Sequence, residues 1–395
     1  MIDRLLIIDD EQALGLLYSK VAESVGYEVR PTDDPDVFWR TVDEWSPTVI
    51  IVDLRMPRTD GIEILRGLAD RRTRARILVS SGSDRAVLES THRLGRDRGL
   101  AMAGALPKPV SAMGLRDLLI NMKVADETVT PTALQAGIER NELNLLYQPK
   151  FRLADGRPVG VEALVRWHHP TGGRILPSKF VAIAEASGII DNLTELVIDK
   201  ALAQLMTWQA AGFDVSIAIN VSPTNLRALD FPDRLSRACG GLGIEPSAIT
   251  LELTESAAHE DHTTLMDILA RLRLRDLRLS IDDFGTGHSS LFKLHTLPFS
   301  ELKLDRSFIV DARTSSRALT IIKSTIELAH ALDMVVVAEG VEDQETAALL
   351  LEIGCDVGQG FHFSKPIPGD AVTRMLARYA SGSHGAETPV AAANA

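Results

Sequence analysis

The chain has little cysteine, no long apolar run and a deficit of positive charge. Only Cys239 and Cys355 occur among its 395 residues, far apart and without a ligand partner in sequence. That pattern excludes a disulfide scaffold and fits a reducing compartment. No apolar run approaches the roughly 20 residues that a membrane-spanning helix needs. The run that opens the chain, within Met1–Asp10, is too short for a signal peptide. A soluble, cytoplasmic protein without a membrane partner is expected. Lys and Arg number 42 against 54 Asp and Glu, giving a formal net charge of −12. Such a surface cannot blanket phosphates with cations, so duplex nucleic acid is not an expected partner. A smaller anion remains compatible with it if divalent cations stand between protein and ligand.

What is present is core-forming material. Hydrophobic residues make up 45% of the chain and charged residues 24%, enough to bury sizeable cores, and the length suits two or three domains. In residues 1 to 122, the apolar runs Leu5–Ile8, Val49–Val52, Arg76–Val79 and Ala103–Leu106 alternate with helix-like stretches such as Gln12–Val25 and Ile62–Leu68. That alternation predicts an α/β domain with a doubly wound parallel sheet. Residues 123–132 read as a linker. A second α/β pattern fills 133–380, with runs at Val159–Val165, Ser216–Val221, Ile249–Leu253, Leu277–Ile281, Glu301–Leu304 and Val335–Ala338. Roughly 250 residues of repeated βα units is the size of a TIM-type (β/α)8 barrel. Residues 381–395, rich in Ala, Gly and Ser, read as a disordered tail.

Polar residues recur at or just past the ends of these later runs: Glu162, Asn220, Glu252, Asp282, Asp283, Lys303, Glu339 and Gln359. Taken singly, each acid reads as a strand-end cap. Taken together they converge, because parallel barrel strands deliver their C-terminal ends to one mouth. Carboxylates gathered there repel one another unless cations separate them, and carboxylate plus amide oxygens suit Mg2+ or Mn2+ rather than zinc. Adjacent aspartates at one strand end allow one to bridge two cations while its neighbour meets only the second.

Eight motifs then appear in order over Pro131–Arg378. They are Tyr147-Gln148-Pro149, Glu162-Ala163-Leu164-Val165-Arg166-Trp167, Asn220-Val221-Ser222 and Glu252-Leu253-Thr254-Glu255. Asp282-Asp283-Phe284-Gly285-Thr286-Gly287, Lys303-Leu304-Asp305-Arg306-Ser307-Phe308, Ala338-Glu339-Gly340-Val341-Glu342 and Gln359-Gly360-Phe361 follow. The segment resembles the EAL-domain phosphodiesterases that hydrolyse cyclic di-GMP to linear pGpG. The resemblance implies a modified TIM barrel with two Mg2+ or Mn2+ ions. Glu162, Asn220, Glu252 and Asp282 would hold one ion, and Asp282, Asp283 and Glu339 the other. Lys303 would help position and deprotonate the attacking water, with the role of general base open between Lys303 and Glu339. Glu255 matches the residue that anchors the loop carrying Asp283. Gln148, Leu164, Arg166, Asp305, Glu342, Gln359 and Phe361 match dinucleotide contacts. Two departures, His288 and Phe361 at positions rich in Tyr, bear on rate and affinity. A homodimer or higher homo-oligomer through the barrel is also implied.

In the smaller domain Asp9 and Asp10 follow the first run, Asp53 ends the second, and Lys108 sits in Leu106-Pro107-Lys108-Pro109. C-terminal strand ends form the ligand crevice of a doubly wound sheet. Three acids there make a Mg2+ site, and a lysine can neutralise a phosphoryl group. Residues 1–122 resemble the receiver domains of two-component signalling. The resemblance makes Asp53 the phospho-acceptor, Asp9 and Asp10 the Mg2+ pair, Ser81 the hydroxyl switch residue and Lys108 the invariant-role lysine, with a cis Lys108–Pro109 bond. It also implies a sensor histidine kinase as partner and modulation of hydrolysis by phosphorylation. Ala105 stands where a switch aromatic is common. The alternatives are a silent cyclic di-GMP receptor, which would lack a metal or base residue, and a regulator that only sequesters a kinase.

Overall fold

Two patterns of side-chain alternation build this molecule, one for each of two units, Met1–Thr128 and Val129–Ala395. The computed structural model describes residues 3–82, 85–108, 110, 112, 114–116, 118–119, 122, 129–170, 173–254, 262–284 and 291–381. Residues 382–395 of the expected tail, most of the 123–132 linker, and Pro109, where a cis bond is expected, lie outside that set.

In the first unit β1 (Arg4–Ile8), β2 (Glu28–Thr32), β3 (Val49–Asp53), β4 (Arg76–Ser81) and β5 (Ala101–Pro107) form a parallel sheet in the order β2-β1-β3-β4-β5. Leu6, Ile8, Ile50, Val52, Ile77 and Val79 pack into one core, while Leu5, Ile7, Val49, Ile51 and Leu78 pack into another on the opposite face. A strand buried on both faces needs apolar residues at every position, which is why these runs are continuous. β2, with the sequence Glu-Val-Arg-Pro-Thr, is absent from the apolar runs. It is an edge strand with exposed positions, where a proline is tolerated.

The second unit opens with a helix, Pro131–Glu139, capped by Thr130, whose side chain accepts from the Ala133 amide. The helix therefore begins inside the span read as linker. Eight strands follow in the order β6-β14-β13-β12-β11-β10-β9-β7, and a β6–β7 pairing closes them into a barrel. They are β6 (Leu143–Arg152), β7 (Pro158–His169), β9 (Ser216–Asn220), β10 (Ile249–Thr254), β11 (Arg278–Phe284), β12 (Glu301–Leu304), β13 (Val335–Ala338) and β14 (Val357–Gly358). A short β8 (Gly173–Ile175) pairs with β7 outside the closed ring. β6 runs antiparallel to both β7 and β14, whereas β7 and β9 to β14 pair in parallel. This reversal is the modification of the (β/α)8 plan. His168 and His169 end β7, paired with Arg174 and Gly173 of β8.

Alternation sets the barrel's chemistry. Val161, Ala163, Ile217, Ile219, Leu251, Leu253, Leu279, Ile281, Leu302, Leu304, Val336 and Ala338 all join one large core with the surrounding helices. Every second residue between them points to the barrel interior. That inner set includes Glu162, Asn220, Glu252, Asp282 and Lys303, so the layers that usually hold branched aliphatics are ionic near the mouth. Among the described residues no helix is long and apolar enough to cross a membrane.

Candidate active site

Lys303 is the centre of the mouth. It comes from β12 and is 1% exposed. Its Nζ lies 2.6 Å from Glu339 Oε1, 2.8 Å from Glu252 Oε2, 3.2 Å from Asp282 Oδ1 and 3.6 Å from Glu162 Oε2. Burial alone would strip its proton, but Glu162, Glu252, Glu339 and Asp282 overcome it and hold the ammonium's pKa well above the usual lysine value.

The acids divide according to how much positive charge reaches them. Burial pushes the Glu252 carboxyl up, yet Lys150 and Lys303 outweigh it and hold it at about 2. Lys150 was not among the residues that the motifs single out. Burial pushes Glu339 up to about 8, aided by Asp282 and Glu162 and offset by Lys303. Asp283 is raised to about 6, by burial first and then by Asp282 and Asp305. Burial also raises Glu162 and Asp282. Two ammoniums, Lys303 and Lys150, face five carboxylates, Glu162, Glu252, Asp282, Glu339 and Glu301, which leaves negative charge uncompensated.

The amides brace Glu162. Asn220 Nδ2 donates to Oε1 at 2.8 Å, and Gln359 Nε2 donates to Oε2 at 2.6 Å and to Gln148 Oε1 at 3.1 Å. Gln359 is 3% exposed. Among the described residues its own Oε1 meets no hydrogen-bond donor. Gly360, at φ 159°, passes so close to the Glu339 loop that a Cβ would stand 2.2 Å from the Val341 carbonyl oxygen. Only glycine lets that turn deliver Gln359. Asp283 takes a left-handed φ of 56° at the end of β11, and its amide donates to Asp282 Oδ1 at 2.9 Å. Aspartate is one of the few side chains that tolerate this conformation. Asp282, Asp283 and Glu339 can each bring one carboxylate oxygen within 4.8 Å of the others.

A cavity of about 260 Å³ opens over this cluster, lined by Gln148, Glu162, Asp282, Glu339, Gln359 and Phe361, with Arg306, Gly340, Glu342 and Gly360 completing the wall. Phe361 is 58% exposed, presenting an aromatic face at the rim. Arg306, which the motif reading did not select, is ion-paired with Glu342. Asp305 caps the helix Arg306–Val310 through the Ser307 amide, at 2.9 Å. Leu164 and Arg166 share the interior-facing register of Glu162 on β7, but neither lines the cavity. Arg166 Nη1 donates instead to the Val165 carbonyl at 2.9 Å. Glu255 and His288 lie outside the described residues.

A second acidic site crowns the first unit. β1 and β3 are neighbours where the strand order reverses, which brings Asp9, Asp10 and Asp53 together with carboxylate oxygens within 4.8 Å of one another. Lys108 Nζ reaches Asp53 Oδ2 at 3.0 Å, Asp9 Oδ2 at 3.2 Å and Glu11 Oε1 at 2.9 Å. Glu11 is an addition to the residues read from sequence. Burial raises the carboxyl pKa of both Asp9 and Asp53 against the pull of Lys108. Ser81 ends β4 fully buried, and Ala105 is exposed on β5.

A family model described as the EAL domain matches residues 132–366, and one described as the response regulator receiver domain matches 5–119. The cyclic di-GMP phosphodiesterase RocR of Pseudomonas aeruginosa is 32% identical over 331 residues, covering 81% of this chain and 84% of that protein. The oxygen sensor protein DosP of Escherichia coli is 37% identical over 254 residues, 64% of this chain. The chain spans about a third of the length of the first curated relatives it matches, from 32% to 39%. Among solved structures, the PaMucR phosphodiesterase in complex with c-di-GMP is 39% identical, covers 61% of this chain and 98% of its own, and superposes with a TM-score of 0.58. The chain belongs to the EAL domain family, with a receiver domain preceding its EAL domain.

Proposed function

We propose that the chain is a response regulator that hydrolyses cyclic di-GMP to linear pGpG, with its activity modulated by phosphorylation of Asp53. The observation that carries this reading is the convergence of Glu162, Asn220, Glu252, Asp282, Asp283 and Glu339 around Lys303 beneath an open cavity. RocR, which aligns over 81% of this chain, is itself named a cyclic di-GMP phosphodiesterase, and the PaMucR phosphodiesterase was solved as a complex with c-di-GMP. The proposed domain limits are 1–122 and 133–380. The proposed setting is the cytoplasm, with a sensor histidine kinase upstream and a homo-oligomer formed through the barrel.

The donor set fits divalent cations. It consists of hard oxygens, and its charge exceeds what Lys303 and Lys150 balance. Glu162, Asn220, Glu252 and Asp282 would hold one Mg2+ or Mn2+ and Asp282, Asp283 and Glu339 a second. Asp9, Asp10 and Asp53 would hold Mg2+ in the receiver. When bound, such ions acidify a water and neutralise phosphate oxygens. Asn220 uses its N–H on Glu162, which leaves the amide oxygen as its donor atom for a cation. Lys303 is held protonated, so its part is to orient the attacking water and draw the carboxylates together. In the metal-free fold Glu339 is the carboxyl that keeps a proton near neutral pH, and a bound cation would displace it. Gln148 and Gln359 fix the substrate's polar edge, with the orphan Gln359 oxygen as an acceptor, and Phe361 offers a stacking face. Leu164, Arg166, Asp305 and Glu342 are proposed as further contacts. The water oxygen bonds to phosphorus, one ring P–O bond breaks, and the leaving 3′-oxygen takes up a proton.

The raised Glu339 carboxyl has a testable sign. Without metal, the fold keeps a proton that the unfolded chain sheds near its ordinary value of 4.5. Stability of the metal-free protein is therefore expected to fall as pH rises from there to about 8, and then to level off. Mn2+ must displace the same proton, so its affinity should climb through that window. Titration calorimetry at pH 6, 7 and 8 in buffers of different ionisation heat checks both the climb and the proton release. An affinity independent of pH contradicts it.

For the receiver, Asp53→Asn is expected to abolish phosphoryl uptake from a small phosphodonor, read as loss of the one-phosphoryl mass gain. Retained uptake at one equivalent would place the acceptor elsewhere.

A further inference from the structure

The barrel interior holds a second ammonium that the motifs do not mark. Lys150 lies on β6, whose Leu143, Leu145 and Tyr147 pack outward into the large core, so Gln148 and Lys150 project inward. The residue is 4% exposed. Nζ lies 2.7 Å from Glu252 Oε1 and 3.3 Å from Glu301 Oε1. The strand register shows that these two acceptors occupy one level. Glu252 of β10 is paired with Ser280 of β11, and Ser280 with Glu301 of β12. Lys150 thus reaches from β6 to the opposite wall and joins the two strands that flank β11, the strand carrying Asp282 and Asp283.

Glu252 is consequently gripped from both sides. Lys150 takes Oε1 and Lys303 takes Oε2 at 2.8 Å. A carboxylate held at only one oxygen turns about its last side-chain bond, whose torsional profile is broad. A buried ion at each oxygen removes that freedom. The two lysines differ in what surrounds them. Lys303 also meets Glu162, Asp282 and Glu339 at the mouth, whereas Lys150 meets only Glu252 and Glu301 among the ion pairs of described residues.

We propose that Lys150 is a positioning residue of the active site, a support beneath the mouth that fixes the Glu252 carboxylate for the divalent cation. The inference rests on the reading of Glu252 as a ligand. A lysine that touches neither substrate nor cation then acts through metal affinity rather than through the chemical step. Partners of this kind change metal affinity or activity by about 10- to 100-fold when removed.

The test compares wild type, Lys150→Met and Glu301→Gln. Mn2+ binding is followed by the loss of its free-ion electron paramagnetic resonance signal, and cyclic di-GMP hydrolysis is followed against Mn2+ concentration. Lys150→Met is expected to weaken the tighter Mn2+ site by about 10- to 100-fold, with kcat largely recovered at saturating Mn2+. Glu301→Gln leaves the Lys150–Glu252 contact in place and is expected to bind Mn2+ as wild type does. Mn2+ affinity within about threefold of wild type in Lys150→Met overturns the proposal, as does equal weakening by Glu301→Gln. If Lys150→Met does not fold, Lys150→Gln, which keeps a donor and much of the stem, replaces it. Weakened binding there supports the proposal and unchanged binding overturns it. Wild type that neither binds Mn2+ nor cleaves cyclic di-GMP sinks the underlying functional reading instead, so the two failures are distinguishable.

Discussion

Glu162→Ala is expected to lower kcat/KM for cyclic di-GMP hydrolysis by about a thousandfold or more, equivalent to roughly 4 kcal/mol of transition-state stabilisation. The substitution removes a proposed oxygen ligand and does further damage. Asn220 and Gln359 both donate to Glu162, so two amides lose their buried acceptor at once. An unsatisfied buried donor costs about 1–3 kcal/mol. Gln359 would then be free to leave Gln148, disturbing the cavity wall as well as the cation site. Glu162→Gln separates these contributions, because it keeps the side chain's volume and an oxygen while discarding the charge. It should bind cyclic di-GMP more nearly as wild type does while remaining far slower. Quantifying pGpG by liquid chromatography under saturating Mg2+ or Mn2+ decides it, and activity within tenfold of wild type for Glu162→Ala would remove Glu162 from the ligand set.

Lys303→Met should have an equally large kinetic effect and a distinct thermodynamic signature. Four carboxylates share this one ammonium, and breaking a buried pair by removing one partner costs about 3–5 kcal/mol. The metal-free variant should therefore melt well below wild type. The deficit should be larger at pH 8 than at pH 6, because protonated carboxyls need no counter-charge and Glu339 titrates near 8. Divalent cations supply the missing charge, so Mg2+ should raise the variant's melting temperature by more than it raises that of wild type. Hydrolysis should stay about a thousandfold or more down even then, since orienting the water is not restored by charge alone. A variant that melts like wild type at pH 8 contradicts this role for Lys303.

The ionic mouth was legible in the sequence because strand ends are marked twice. A βα unit puts an apolar run before each polar residue, and the barrel guarantees that such ends converge. Glu162, Asn220, Glu252, Asp282, Lys303, Glu339 and Gln359 could all be picked out on that ground, and the structure brings them together. Lys150 could not. In Tyr147-Gln148-Pro149-Lys150-Phe151, a lysine inside a strand reads as a solvated side chain, since lysine is almost never fully buried unless paired. Its partners come from strands 102 and 151 residues away.

The same limit hides pairing direction. β6 and β7 are consecutive strands, and nothing in their periodicity says that β6 runs against both neighbours. β14 is two residues long, too short for any period. β2 hides its role behind Arg30 and Pro31, because an edge strand buries little. Arg306 escaped for another reason: it follows Asp305, whose carboxylate caps the next helix turn, and it enters the cavity wall through its pair with Glu342. In the receiver, Glu11 joins the Lys108 cluster only because the chain turns after Asp9, whose carboxylate accepts from the Glu11 amide at 2.9 Å.

Whether the ionic mouth cleaves cyclic di-GMP is decided by one assay. Purified chain with Mg2+ or Mn2+ is mixed with cyclic di-GMP, before and after treatment with a small phosphodonor, and products are separated by chromatography. The expected product is linear pGpG, formed at a rate that changes on phosphodonor treatment in wild type and not in Asp53→Asn. Cyclic di-GMP left intact under both conditions, with either metal, contradicts the proposed function.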